Sequence, residues 1–279
     1  MRQPVQLHAF YYVLLIALAI IFLLPFVWAF STSLKLPANI QVYPPTLIPD
    51  PVTFSNYQEL WQFGDGIFLR FFVNSVVVSG GTTLLVLIVS TLAGYGFAIL
   101  DFRGKEILFV LLLSALLIPF QALLIPLFAL MRDLKLLNTY TCLVIIYATF
   151  QLPFGVFMMR NAFATVPKAL RESAQLDGAT EVRVMRDVML PLVLPGLVTL
   201  AIYCFYTSWN EFLVALVFTT REEMKTLTVG LQQLTVGRYG TRWDTLTAGS
   251  IVSFIPVMIL FIFLQRYFVR GLTGGALKG

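Results

Sequence analysis

The sequence predicts an all-α membrane protein of six transmembrane helices, and three observations support this. Of its 279 residues, 58% are hydrophobic and 12% charged, with a mean hydropathy of +0.85, far outside the range of soluble globular chains. Charge-free runs long enough for the ~20-residue helix that crosses a bilayer occur six times, at residues 4–34, 71–100, 107–131, 136–159, 188–210 and 245–265. These runs are continuously apolar, which excludes the alternating pattern of a β-barrel and leaves helices to satisfy the backbone in lipid. The whole chain, 1–279, reads as one transmembrane domain.

The first run follows Arg2 and ends near Trp28, which fits an interfacial anchor. Its apolar core exceeds the ~7–15 residues of a secretory signal, so a retained helix is expected. Residues 35–70 carry Pro37, Pro44, Pro45, Pro49 and Pro51, predicting an extended external loop with a short helix from Ser55. The second run begins Asn74-Ser75 and holds Ser79, Gly80, Gly81, Thr82, Thr83, Ser90, Gly94 and Gly96. Small residues let membrane helices approach closely, so packing is favoured over a polar pore wall.

Pro119 and Pro126 in the third run and Pro153 in the fourth predict bends near mid-membrane. Gln121 and Gln151 lie beside them and could bond a solute or a neighbouring helix. The fifth run ends Ser208-Trp209-Asn210-Glu211-Phe212, and an acid that deep in an apolar stretch is a functional candidate. Residues 219–242 carry Gly230, Gln232, Gln233, Gly237 and Gly240 and predict a flexible external loop. Arg266 and Arg270 anchor the last helix, and the glycine-rich end at 271–279 predicts a flexible tail. Cys142 and Cys204 fall inside predicted helices as buried packing residues, and His8 is the sole histidine. The net charge of +5 comes from loops and does not form a nucleic-acid surface.

Six spans put both termini on one side. With the termini in the cytoplasm, eleven of the 19 Lys and Arg residues fall inside and eight outside, in line with the positive-inside bias.

One segment breaks the apolar pattern. At 165–190 the chain becomes strongly charged. Pro167 suits a first helical turn, and Val166, Ala169, Leu170, Ser173 and Ala174 recur at helical spacing. Gly178 follows Asp177 where a left-handed residue ends a helix. Thr180 can cap a second helix, with Glu181 in its first turn, an apolar face of Val182, Met185 and Met189, and Pro191 opening the next span. Two short helices bent at Gly178 and lying on the membrane surface are expected.

The run Glu172-Ser173-Ala174, three residues, Gly178, nine residues, Val188-Met189-Leu190-Pro191 resembles the signature loop of ABC-importer permeases. That pattern is Glu-Ala-Ala, three residues, Gly, nine residues, Ile-x-Leu-Pro, and Ser173 and Val188 depart from it by small, shape-preserving changes. Asp177-Gly178-Ala179 is similar to the form in sugar-importer permeases of the maltose type, in particular the second permease of the pair. Tyr95-Gly96-Phe97-Ala98, Asp101-Phe102-Arg103-Gly104, Trp209-Asn210-Glu211-Phe212 and the ending from Gln265 to Gly279 extend the resemblance over essentially the whole chain.

The resemblance implies a type I ABC-importer permease fold in the cytoplasmic membrane of a bacterium or archaeon. It implies that Glu172, Ser173, Ala174, Asp177, Gly178, Leu190 and Pro191 dock on a cytoplasmic ATPase, present in two copies, which itself binds ATP and magnesium. It further implies a homologous permease partner and an external sugar-binding protein contacted by Gln232, Gln233 and Gly237. The tail, with Gly275, Lys278 and Gly279, would lie between the ATPases. Gln121, Gln151, Asn210 and Glu211 are candidates for the pathway or gate.

The sequence lacks Gly-x-x-x-x-Gly-Lys-[Ser/Thr], and its single histidine leaves no basis for a catalytic triad or a zinc-type cluster. A transport subunit without catalysis of its own is therefore expected, importing a sugar or oligosaccharide. The same architecture serving glycerol phosphate or a polyol is the alternative. A secondary carrier using Glu211 is more distant, because no other span holds an acid to receive its proton and the sole histidine, His8, lies at the chain start.

Overall fold

The computed structural model describes residues 5–235 and 241–276, and all regular structure in them is helical. The chain divides into two compact units. One comprises residues up to Leu69 with Gly230–Pro256, and the other Arg70–Val229 with the residues from Val257 on.

In the first unit, α1 (Val5–Ser33) is apolar on all sides, and its most apolar 18-residue stretch, within Tyr11–Ser33, has no buried residue. Such a helix needs lipid or another chain around it. Its C-terminal end is buried by α2 (Ser55–Gln62), which begins where the sequence places it. Asn56, fully buried, donates from its amide nitrogen to the carbonyls of Ser33 and Lys35, each at 2.8 Å. The Lys35 amine donates to the Thr46 carbonyl and lies 5.0 Å over the Trp28 ring. Arg242 pairs with Glu59 of α2 and with buried Asp244, in the first turn of α12 (Trp243–Ala276). α12 continues through Gly274 and Gly275, where the sequence predicts a flexible tail.

The second unit is built on α6 (Tyr140–Ala164), the most buried of the membrane-length helices described. Thr139 caps it, its hydroxyl accepting from the Cys142 amide at 3.1 Å, so the helix starts later than the apolar run at 136. α3 (Ile67–Ile99) crosses it closely. A Cβ added at Gly94 would lie 2.5 Å from the Met159 Cβ and 2.9 Å from the Arg160 backbone nitrogen. One added at Gly155 would overlap the Ser90 hydroxyl. Small residues thus serve packing at this crossing. Gly80 and Gly96 meet no such neighbours. Cys142 and Cys204 are buried free thiols in the core of this unit.

Among the described residues, five helices are individually long and apolar enough to span, namely Tyr11–Ser33, Ile67–Ile99, Tyr140–Ala164, Glu181–Trp209 and Trp243–Phe263. The third predicted span differs. α4 (Lys105–Ser114), extended by a 3₁₀ turn to Leu117, meets α5 (Phe120–Asp133) at 97°, so this stretch is a broken pair. The break falls at Ile118, which is extended at φ −83°, ψ 116°. The following Pro119 disfavours helical geometry at the residue before it. Pro126, inside α5, bears on no break.

Gly94→Ala is expected to destabilise the chain by ~1–3 kcal/mol, since the added methyl meets backbone that cannot move aside. Gly96→Ala, with open space at the same site, is expected to be neutral. Melting temperatures of the purified variants compare the two, and equal values would contradict the close crossing.

Candidate coupling loop and pathway residues

The charged segment folds as the sequence predicts over its first half. α7 (Lys168–Leu176) follows Pro167 and ends in a Schellman motif. The Ala179 amide donates to the Ala174 carbonyl and the Gly178 amide to the Gln175 carbonyl, each at 3.0 Å. Gly178 sits at φ +81°, where a side chain is strained. Ala174 and Ala179 pack against the core, while Glu172, Ser173, Asp177 and Gly178 are exposed.

The second half differs. α8 (Glu181–Arg183) passes through a π-helical segment, Val184–Met189, directly into α9 (Leu190–Trp209). The second helix predicted in this segment is therefore the N-terminal end of the fifth span. Val184 and Met189, five residues apart, are fully buried, as the i→i+5 repeat of a π-helix requires. Val182, expected on the apolar face, is 70% exposed, and the Thr180 side chain makes no cap bond. Leu190 is half-buried and Pro191 exposed in the first turn of α9. With Leu176 at 89% exposure beside Glu172 and Asp177, and with Lys168, Arg183 and Arg186 also exposed, the loop presents a charged and apolar outer face.

Its inner face is held by one carboxylate. Glu181 accepts from the Tyr95 hydroxyl at 2.5 Å, from Arg171 Nε at 2.9 Å and Nη2 at 3.2 Å, and from Gln175 Nε2 at 2.8 Å. The hydrogen bond to Glu181 raises the Arg171 pKa further above its ordinary value, so the pair stays charged. Sequence reasoning gave Tyr95 no role. The available signal was a phenol near the C-terminal end of one span, within a run, Tyr95-Gly96-Phe97-Ala98, that already carried the family resemblance.

The pathway candidates separate into two groups. Tyr147 and Gln151, one turn apart on α6, reach the end of α9 and the turn beyond it. Gln151 Nε2 donates to Ser208 Oγ at 2.9 Å, and its buried Oε1 has no partner among the described residues. The Tyr147 hydroxyl donates to Glu211 Oε2 at 2.8 Å. The Glu211 carboxylate also accepts from the amides of Val214 at 2.9 Å and Ala215 at 3.1 Å, capping the short α10 (Leu213–Phe218). Asn210 is exposed and bonds the Tyr206 carbonyl, and Gln121 is exposed at the start of α5, apart from this hydrogen-bonded group.

The segment after α10 is fastened where flexibility was expected. Asn138 Oδ1 accepts from the amides of Thr220 and Arg221, and Asn74 donates to the carbonyls of Glu223 and Lys225. Ser75 Oγ accepts from the Leu227 amide at 2.8 Å. From there the chain is helical, α11 (Leu227–Thr235), with Gln232 exposed and Gln233 half-buried on it. Gly237, Lys278 and Gly279 lie outside the described residues, and Gly275 is within α12.

Comparison with known proteins agrees with this architecture. Residues 87–274 match the family model for the binding-protein-dependent transport system inner membrane component. The arabinooligosaccharides transport system permease protein AraQ of Halalkalibacterium halodurans is 40% identical over 235 residues, 84% of this chain and 83% of that protein. The trehalose/maltose transport system permease protein MalG of Thermococcus litoralis is 32% identical along the full length of both chains. Among solved structures, a chain of a bacterial ABC transporter involved in the import of the acidic polysaccharide alginate superposes with a TM-score of 0.83 at 25% identity, covering 96% of this chain and 99% of that one. With its helical spans, its charged loop between two of them and these matches, the chain belongs to the family of binding-protein-dependent transport system inner membrane components.

Proposed function

We propose that this chain is one of two membrane-spanning subunits of an ATP-driven importer for a sugar or oligosaccharide. Both termini face the cytoplasm. Its partners are a homologous permease, two copies of a cytoplasmic ATPase that bind ATP and magnesium, and an external sugar-binding protein. The sugar class draws support from the arabinooligosaccharide and trehalose/maltose systems of its relatives. The observation that carries the coupling role is the α7 turn. It is rigidly closed at Gly178 and pinned on its inner face, and it leaves Glu172, Asp177, Leu176 and Val182 outward.

On this reading, closure of the ATPase pair moves the docked loop, and the continuous helix from Glu181 to Trp209 carries that movement into the fifth span. Nucleotide thereby biases two states of the spans. The tail, with Gly275, Lys278 and Gly279, lies between the ATPases, and Gln232, Gln233 and Gly237 belong to the face toward the binding protein. Gln151, with an open acceptor, belongs to the polar lining between α6 and α9. Glu211 holds the turn between α9 and α10 and carries no proton across.

Co-purification of the chain with the ATPase encoded beside it tests the docking face. Reversing one charge at such an interface costs ~2 kcal/mol or more, so Glu172→Arg is expected to weaken ATPase retention about thirtyfold or more. Undiminished retention would contradict the assignment. Gly178→Val forces a β-branched residue to φ +81°. It is expected to abolish sugar uptake by cells while the protein remains in the membrane, and normal uptake would overturn the lever.

A further inference from the structure

We infer that Tyr95 is a positioning residue: its hydroxyl, bound to Glu181, latches the coupling loop to the inner end of α3, so that loop and helix move as one body. Resting on the proposed coupling role, this adds a second route by which docking reaches the spans. Covalent continuity carries movement from Glu181 into α9, whereas α3 is distant in sequence and needs a noncovalent link.

The geometry supplies that link. The Arg171 and Gln175 bonds to Glu181 join α7 to α8 and would exist without any attachment to the membrane. Tyr95 adds a span side chain to the same carboxylate, at 2.5 Å. Its own position has little slack. The preceding residue, Gly94, lies against the Met159–Arg160 backbone, and the Tyr95 ring meets Phe163 edge-on with centroids 5.4 Å apart. Glu181 lies at the start of the short helix that leads into the π-helical segment, so the latch holds the charged loop close to the point where helical register changes. A phenol to a carboxylate is a charge-assisted bond, and it is removed without altering the ring contact by Tyr95→Phe.

Spin labels at Lys168→Cys on α7 and Asp101→Cys just beyond α3 test this in the assembled transporter, with and without trapped ATP. Cys142 and Cys204 are fully buried, which keeps the label off them. The expected result is a single narrow distance that nucleotide does not change. Tyr95→Phe is expected to add a second, nucleotide-dependent distance, and Glu181→Gln, which weakens the same bond from its other side, to add the same population. A distance that changes with nucleotide in the unmodified protein would overturn the latch, as would both variants behaving like it. Failure of the ATPase to bind even the unmodified chain would instead count against the coupling role. The latch would then still be read from the distance distribution of the chain alone, with a narrow peak that Tyr95→Phe broadens supporting it and no broadening overturning it.

Discussion

The close crossing of α3 and α6 is the constraint on which the second unit depends. Gly94 allows backbone to meet backbone, and everything on the inner side of that contact inherits its geometry. Tyr95 is placed against Phe163, Phe163 and Val166 share a core with Val184 and Met189, and Ala174 and Ala179 pack on that core. In lipid there is little hydrophobic drive between helices, so such close packing and the polar bonds around it carry the association. A charged loop resting on that floor can be rigid without being buried.

Under the proposed coupling role, the loop must satisfy two demands that pull in opposite directions. A docking face must expose charged and apolar groups, and a lever must not bend. The Schellman closure at Gly178 and the four hydrogen bonds to Glu181 meet the second demand from the inside, leaving Glu172, Leu176 and Asp177 available on the outside. Glu211 illustrates the opposite case. An acid within an apolar stretch suggests transport chemistry, yet two amides and a tyrosine hydroxyl account for its placement as the cap of α10.

Much of this was legible in the sequence. Charge-free runs mark the spans because hydrocarbon excludes charge, and Gly178 marks the turn because few other residues adopt positive φ readily. The features that were not legible depend on tertiary context. Pro119 announces a disturbance, but whether a helix bends or breaks at 97° depends on the surroundings of its two halves. The π-helical segment shifts burial from Val182 to Val184, because helical wheels assume a repeat that this stretch does not keep. Asn74 and Asn138 fasten a segment more than 80 residues away, a pairing that no local pattern encodes.

The most direct measurement is uptake from a panel of labelled sugars and oligosaccharides by proteoliposomes holding this chain, its permease partner and the ATPase, with the binding protein added outside. Uptake of one of these sugars that requires internal ATP and the binding protein, and that persists when the proton gradient is collapsed, is the expected result. Uptake by the chain alone that follows the proton gradient and ignores ATP would contradict a coupled importer subunit.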